Sequence, residues 1–259
     1  METNDTQLRQ QLRQLKLSGV VDSLDHRILE CQQNGIDYKT FLSLLLQDEI
    51  ELRYGRKIQR LIAQAGFGSE QTFETFDMTL ATGLNKTLVR ELSTCAFIQR
   101  GEAILLTGPP GTGKTHLAKA FGHAACRKGL SVSYYKFNRL FAELAKAEHA
   151  GKIDKLLEKH GRADLFIIDD FAFRKIDQSS SEWLYEIVDT RYGSRSIILT
   201  SNRAMSDWMG VFPDAVIAGA ILDRLTHHAH QIQLKGESIR KKLGLASLKS
   251  AVVTNPQSA

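Results

Sequence analysis

A glycine-rich segment follows a short apolar run at residues 104–117, which read ILLTGPPGTGKTHL. From Gly108 to Thr115 the spacing is G-x-x-x-x-G-K-T, a pattern whose backbone N–H groups can surround a chain of phosphates. Residues 103–106 favour a buried strand, and residues 116–121 favour a helix whose positive end points at the phosphates. The order of strand, loop and helix is the one that a phosphate-binding loop requires, and it restricts the chain to an α/β fold.

The loop predicts ATP and Mg²⁺ as cofactors. Lys114 can reach the β- and γ-phosphates, and the hydroxyl of Thr115 can ligate Mg²⁺. Glycine allows backbone angles and a close approach that a Cβ atom would prevent. The predicted nucleotide contacts are Gly108, Pro109, Pro110, Gly111, Thr112, Gly113, Lys114, Thr115 and His116.

The rest of the chain extends this α/β pattern. Apolar or β-branched runs at 103–107, 131–136, 165–169 and 196–200 are separated by helical stretches, which predicts a parallel sheet with crossover helices. Residues 1–65 are helical in pattern, with breaks expected at Gly19 and at Asn34-Gly35, and a further helix is expected from about Lys86 to Gln99. We therefore expect a helical N-terminal domain at 1–66, an ATPase domain at 67–244 and a disordered tail at 245–259.

Polar side chains follow two of the predicted strands. Asp169 and Asp170 end the run LFIIDD, and ligands bind at the carboxyl ends of strands in open α/β sheets. Asp169 fits the acid that holds Mg²⁺, and Asp170 is placed to orient or deprotonate the attacking water. Asn202 ends the next run and would help to position that water, although an asparagine that only forms the turn is the alternative.

Two C-terminal features leave alternatives open. Arg224 lies in an apolar helical stretch and needs a partner, either a local acid such as Asp223 or a phosphate on a neighbouring subunit. The cluster of His227, His228 and His230 suggests a metal, but His227 and His228 point in different directions on a helix or a strand. A titrating, DNA-facing or packing role is favoured over zinc.

The chain carries a formal charge of +5 and a pI of about 9.1, which favours a polyanionic partner. Four cations share one face of the helix predicted over 47–65, where they can follow a phosphate backbone or form a solvated face: Arg53, Arg56, Lys57 and Arg60. The three cysteines lie far apart, the N-terminus is polar and no long apolar span occurs. We expect a cytoplasmic protein with reduced cysteines and no membrane partner.

These landmarks, in this order, resemble the IstB-like transposition helper ATPases, relatives of the DnaC-type helicase loaders within the AAA+ class. The resemblance covers roughly residues 8–243 and rests on LKLSGVVDSL, FETFD, GPPGTGKTHLA, LFIIDDF, LTSN and AILDRLTHHAHQIQLKGESIRKK. It implies a P-loop AAA+ parallel sheet with flanking helices, preceded by a small all-helical domain. It also implies an ATPase that assembles on double-stranded DNA as a ring or helical oligomer, with little sequence preference, and recruits or activates a transposase.

The family pattern also implies roles for single residues. Asn202 resembles the sensor, Arg224 the finger offered to a neighbouring subunit and Arg240 the second sensor. Many AAA+ proteins carry glutamate where this chain has Asp170; the shorter side chain reaches less far, so we expect hydrolysis that is slow or dependent on DNA or a partner.

The long segment 137–161 corresponds to an extra helix that lines the DNA channel in loader-type relatives. We expect it to contact DNA phosphates through Arg139, Lys146, Lys152 and Lys155. The alternative functions are a DnaC-like replicative helicase loader and a small-molecule kinase, and the basic helical N-terminus favours a polyanion over a small acceptor.

Overall fold

A parallel sheet forms the centre of the larger part of the computed structural model, which describes residues 2–68, 71–239 and 241. Its strands run β1 Ala103–Thr107, β2 Val132–Lys136, β3 Leu165–Asp169, β4 Ser196–Ser201 and β5 Ala229–Gln233. Their order across the sheet is β2-β3-β4-β1-β5, and every neighbouring pair is parallel. The predicted α/β class is confirmed. The sequence analysis missed β5, because Ile232 is its only buried side chain and the strand lacks an apolar run.

Helices cover the sheet and form the N-terminal part of the chain. Their bounds are α1 Glu2–Gln14, α2 Ser18–Asn34, α3 Tyr38–Ala65, α4 Lys86–Ser93, α5 Ala96–Gln99, α6 Lys114–Arg127, α7 Phe137–His149, α8 Ile153–Arg162, α9 Gln178–Arg191 and α10 Ala215–His227. Two short 3₁₀ helices, Met205–Asp207 and Met209–Val211, precede α10.

The helical breaks differ from those predicted at two places. Gly19 does not interrupt a helix but lies in the first turn of α2, where a Cβ atom would come within 2.7 Å of the Cα of Glu49. This glycine therefore serves close packing between α2 and α3. The single helix expected from Lys86 to Gln99 is two helices, because Cys95 adopts a left-handed φ of 62° between them.

Two hydrophobic cores lie against the sheet, which is why the middle residues of its central strands are apolar. Ile104 and Ile167 belong to one core, with Phe121 of α6, whereas Leu105 and Phe166 belong to the other. Alternate side chains of a strand point to opposite faces, so strands covered on both faces bury every side chain. Their carboxyl ends meet at one edge of the sheet, and the loops that follow β1, β3 and β4 leave from that edge.

The chain divides into two compact units between Arg60 and Leu61, within α3; the sequence interpretation placed this boundary after residue 66. The first unit has a small core of its own around Val20, Leu24 and Leu45. The predicted tail at 245–259 lies outside the described residues. Across the described part of the chain, we find no helix that combines the length and the apolar character needed to cross a membrane.

Candidate nucleotide-binding site

The loop between β1 and α6 has the backbone geometry that its glycines predict. Gly108, Gly111 and Gly113 have φ values of 144°, 82° and 98°, which side-chain-bearing residues rarely adopt. A Cβ atom on Gly108 would lie 2.2 Å from the carbonyl oxygen of Leu234, and one on Gly111 would lie 2.2 Å from Ser238 Oγ. These glycines thus allow the loop to pass directly beside the segment that follows β5.

The loop ends at the N-terminus of α6, which begins at Lys114 without a side-chain cap. The N–H groups of its first turn are therefore available to an anion, and the helix dipole favours a negative charge there. Lys114 is buried, and its Nζ donates 2.7 Å hydrogen bonds to the carbonyl oxygens of Gly108 and Pro109. Thr112 Oγ1 donates to the same carbonyl of Pro109 at 2.9 Å. The cradle and its cation fit a phosphate chain.

The carboxylate of Asp169 lies fully buried at the end of β3. It accepts hydrogen bonds from Thr115 Oγ1 at 2.9 and 3.1 Å, from the hydroxyl of Tyr134 at 2.7 Å and from Thr200 Oγ1. Oxygen ligands of this kind are those that Mg²⁺ prefers. The structure thus brings together the two residues that the sequence analysis assigned to the metal.

Sequence reasoning missed Tyr134 and Thr200 as neighbours of Asp169. Tyr134 lies on β2 and Thr200 on β4, the strands on either side of β3. Thr200 lies near the carboxyl end of β4, a position that could have identified it, whereas Tyr134 is the central residue of β2 and its position gave no such signal. Burial raises the pKa of Tyr134, and so does the negative charge of Asp169, so this hydroxyl stays protonated and donates to the carboxylate.

Asp170 and Asn202 line the same cavity, which has a volume of about 620 Å³ and also contacts Lys114 and Thr115. Asp170 has a left-handed φ of 59°, and its backbone N–H donates to Thr200 Oγ1 at 3.0 Å. Asn202 is exposed and directly follows β4. The two predicted water-positioning residues therefore lie around the cavity that holds the phosphate loop.

The segment 71–80 forms a further part of this cavity. His116 Nε2 lies 3.0 Å from the carbonyl oxygen of Thr72 and 3.1 Å from Thr75 Oγ1, and its ring meets that of Phe76 edge-on at 5.1 Å. Leu80 and Ile239 add apolar surface to the lining. The sequence analysis quoted FETFD as family-like without placing it at the cavity, because a stretch of loop carries no periodic signal.

Arg224 lies away from this cavity, on α10. Its Nε forms a 2.9 Å ion pair with Asp189 of α9, and its guanidinium lies 5.1 Å from the ring centre of Tyr185 and 5.9 Å from that of Tyr192. Arg224 therefore does have an acidic partner within its own chain, as one of the two alternatives predicted. That partner is Asp189 of α9 and not the suggested Asp223, which lies on α10. Arg240, the predicted second sensor, lies outside the described residues.

The cations of the N-terminal unit lie exposed on α3, and two have local partners. Arg53 pairs with Glu49 at 2.6 Å and donates to the carbonyl oxygen of Lys16, while Arg56 donates to Ser18 Oγ at 2.7 Å. Lys57 and Arg60 are exposed on the same helix. The predicted cationic face therefore exists as a surface, although part of its charge serves contacts within the unit.

The segment between β2 and β3 consists of two helices, α7 and α8. The four cations expected to contact DNA are exposed: Arg139 and Lys146 on α7, Lys152 directly before α8 and Lys155 within it. The rings of His227 and His228 pack with their centres 4.1 Å apart, so the expectation that these two side chains point in different directions is wrong, because His228 lies at the C-cap of α10 and does not continue the helix. Tyr192 contacts His227 Nδ1 at 2.7 Å, and Glu102 pairs with His230 at 2.8 Å. Among the described residues no group of three or more histidine, cysteine or acidic side chains could hold a metal ion.

The phosphate loop between β1 and α6, the acid at the end of β3 and the strand order define a P-loop fold of the AAA+ type. Solved structures share the fold. AMPPCP-bound DnaA from Aquifex aeolicus is 23% identical, with a TM-score of 0.56 over 71% of this chain and 56% of that one. DnaI is 18% identical, with a TM-score of 0.54 over 70% of this chain and 92% of that one.

Sequence comparison identifies the family. The profile described as "IstB-like ATP binding protein" matches residues 10–247, and the chain belongs to this family. A protein named as an insertion-sequence ATP-binding protein from Mycobacterium tuberculosis is 36% identical over 93% of this chain and 97% of its own length. Similar proteins are named for IS21 of Pseudomonas aeruginosa, at 36% identity over 89% and 87%, and for IS5376 of Geobacillus stearothermophilus, at 39% over 80% and 82%.

Proposed function

We propose that this protein is an ATP-dependent, DNA-binding transposition helper that recruits or activates a transposase, with ATP binding and hydrolysis switching its assembly on duplex DNA. The observation that carries the proposal is the contact between Thr115 and the buried Asp169 beside the phosphate loop. Relatives of nearly full length named as insertion-sequence ATP-binding proteins support the transposition context.

A few residues of the nucleotide site bind the phosphates, hold the metal and position the attacking water. The loop glycines and the first turn of α6 bind the phosphates through backbone N–H groups, and Lys114 exchanges its two loop carbonyls for phosphate oxygens. Thr115 and Asp169 hold Mg²⁺, which offsets phosphate charge when bound. Asp170 and Asn202 orient the attacking water, and the segment 71–80 with His116 covers the rest of the nucleotide.

Self-association completes the hydrolytic site in this proposal. Arg224 lies outside the cavity of its own chain, on a helix surface where it is about a quarter exposed. A neighbouring subunit that offered this guanidinium to the phosphates would stabilise the charge of the transition state. Assembly would then control hydrolysis, and Arg240 would add a second cation from the C-terminal run.

DNA binding uses the exposed cations on α3, α7 and α8, which suits contact with phosphates and a weak dependence on base sequence. The helical N-terminal unit serves DNA or partner binding. A DnaC-like replicative helicase loader is the alternative, since it would use the same nucleotide chemistry with a different protein partner.

The proposal is tested by measuring ATP turnover with and without duplex DNA while light scattering reports the size of the assembly. We expect turnover and size to depend on both ATP and DNA, and Lys114→Ala to lose both responses. Affinity capture from the native cells should then recover a transposase. Capture of a replicative helicase would favour the loader, and a folded protein that ignores ATP and DNA would contradict both functions.

A further inference from the structure

A second cleft, of about 370 Å³, shares Lys136 with the nucleotide cavity. Lys119 of α6, Lys136 at the end of β2 and Arg139 of α7 contribute three cations to its lining. Tyr134, Tyr135 and Glu143 contribute two phenols and one carboxylate. The cleft thus carries an excess of positive charge at a place where the sequence analysis had identified only Arg139.

Lys119 is the half-buried cation of this cleft. Its Nζ donates a 2.7 Å hydrogen bond to the carbonyl oxygen of Phe67 and lies 4.9 Å from the ring centre of Tyr134. Burial lowers the pKa of Lys119, the negative charge of Asp169 raises it, and the nearby charge of Lys136 lowers it, with a lowered pKa as the result. Lys119 is therefore a partly desolvated cation with a second ammonium group nearby, and a bound anion would offset their repulsion.

Tyr134 links the cleft to the nucleotide site. The face of its ring lies beneath Lys119, and its hydroxyl donates to Asp169 Oδ2 at 2.7 Å. Asp169 also accepts from Thr115 of the phosphate loop. One side chain therefore contacts a cation of the cleft and the carboxylate assigned to Mg²⁺, so a shift of the cation can alter the hydrogen bonding of the carboxylate.

We propose that the cleft formed by Lys119, Lys136 and Arg139 binds a backbone phosphate of DNA, and that Tyr134 transmits its occupancy to Asp169. This inference rests on the proposed function and adds a route by which DNA changes ATP turnover. In this arrangement Tyr134 is a positioning residue, since it acts on the reaction through Asp169.

A phosphodiester suits the cleft better than a base edge does. Lys136 and Arg139 are exposed at its rim, whereas Lys119 lies deeper over an aromatic ring. Cations that converge on one space recognise compact charge, and they give affinity that falls with salt and is indifferent to sequence. Glu143 also lines the cleft and offsets one of these three positive charges, which still leaves an excess of positive charge for one anion.

The first test measures DNA affinity against salt concentration for Lys119→Gln and Arg139→Gln. Glutamine at 119 removes the charge and keeps a polar side chain that can donate hydrogen bonds. We expect each variant to weaken DNA binding about 3–10-fold and to reduce the slope of log affinity against log salt by about one. The matched control is Lys128→Gln, which changes an exposed lysine directly after the end of α6. It should change the DNA affinity and the salt slope less.

The second test measures the ratio of ATP turnover with DNA to that without DNA for Tyr134→Phe, which keeps the ring and removes the hydroxyl. We expect its DNA affinity to stay within about twofold of wild type while this ratio moves at least about fivefold toward one. Lys119→Gln at saturating DNA should show the same loss, which provides a second reading if Tyr134→Phe folds poorly.

Several results would overturn the inference. If Lys119→Gln leaves DNA affinity and its salt dependence unchanged, the cleft does not bind a DNA phosphate. If Tyr134→Phe leaves the turnover ratio unchanged, Tyr134 does not couple the cleft to Asp169. A wild-type protein that binds DNA without any change in turnover would also contradict the coupling. Tripolyphosphate that reproduces the full response at equal ionic strength would contradict the assignment to DNA. Wild-type protein that binds neither ATP nor DNA would instead refute the proposed function itself.

Discussion

Among the residues that the structure describes, each of the two units buries one carboxylate, and the donors around the two carboxylates differ. Glu49 of the N-terminal unit accepts from the backbone N–H groups of Gly19 and Val20 and pairs with Arg53. Asp169 of the sheet unit accepts from the hydroxyls of Thr115, Tyr134 and Thr200. The charge of Glu49 is already compensated by backbone amides and an arginine. The donors to Asp169 are neutral hydroxyls, so its carboxylate keeps a negative charge that can bind a cation. Burial alone therefore does not separate a structural acid from a functional one, and the identity of the donors does.

The largest expected effect comes from Asp169→Asn, which removes the proposed metal ligand. We expect ATP turnover to fall about 10²–10³-fold and ATP binding to lose its dependence on Mg²⁺, because the charge that holds the metal is gone. Thermal stability should not fall in parallel, since no ion pair is broken. Asp207→Asn, an exposed acid elsewhere, is the control for both measurements. If Asp169→Asn keeps Mg²⁺-dependent ATP turnover, Asp169 does not hold the metal and has a structural role like that of Glu49.

Arg224→Ala should lower turnover about 10²-fold or more while ATP affinity stays within about twofold, because a finger acts on the transition state of a neighbouring site. Mixing this variant with Lys114→Ala should restore part of the turnover, since each supplies what the other lacks. Asp189→Asn, which breaks the local ion pair and keeps the arginine, should retain most of the activity. If stable mixed assemblies recover no ATP turnover, Arg224 acts within its own subunit and not on a neighbouring site.

Gly108→Ala should destabilise the sheet unit by about 3 kcal/mol, since the new Cβ meets a backbone oxygen at 2.2 Å in addition to the left-handed strain. Gly66→Ala, with a φ of 75° and no atom within 4 Å of its Cβ, should cost about 1–2 kcal/mol. Chemical denaturation measures both. Equal costs would show that the phosphate loop can move away from Leu234.

Glu49→Gln should lower the free energy of unfolding of the N-terminal unit by about 1–3 kcal/mol, because it breaks the ion pair with Arg53 and leaves the N–H groups of Gly19 and Val20 without a charged acceptor. Burial raises the pKa of Glu49, but the hydrogen bonds from Arg53, Gly19 and Val20 outweigh burial and lower it overall. Its stabilising contribution is therefore complete above the usual range of a glutamate pKa and is lost as the pH falls toward the lowered value.

Denaturation followed at pH 7 and pH 3 should show a smaller loss of stability on acidification in the variant than in wild type, because other carboxylates with a lowered pKa, such as Asp48, titrate in both. Nucleotide binding should stay intact at neutral pH. A variant as stable as wild type at pH 7 would contradict the structural role given to Glu49.

The sheet was predictable because four of its strands lie in apolar or β-branched runs of the expected length. The phosphate loop was predictable because its glycines and lysine have fixed spacing. The fifth strand carries one buried side chain and gives no such signal. Gly19 was read as a break because a glycine inside a helix weakens it locally, and only the neighbouring helix α3 explains its place. Local sequence patterns were enough to predict helices and strands, whereas contacts between elements distant in sequence could be identified only from the folded structure.

The same limit applied to the candidate site. Asp169, Asp170 and Asn202 follow buried strands, so the sequence could place them at one edge of the sheet. Tyr134 was read as part of a strand, because only the pairing of β2 with β3 directs its hydroxyl to Asp169. Asp189 could not be selected as the partner of Arg224, since the crossing of α9 and α10 is a property of packing.

The most direct test of a Mg²⁺-dependent nucleotide site is calorimetric titration of the folded protein with ATP, in magnesium and again in excess EDTA. We expect saturable binding well below about 1 mM that weakens at least tenfold when magnesium is removed. Binding of equal strength in EDTA would contradict the role given to Thr115 and Asp169, and folded protein that shows no binding at millimolar Mg·ATP would contradict the nucleotide site as a whole.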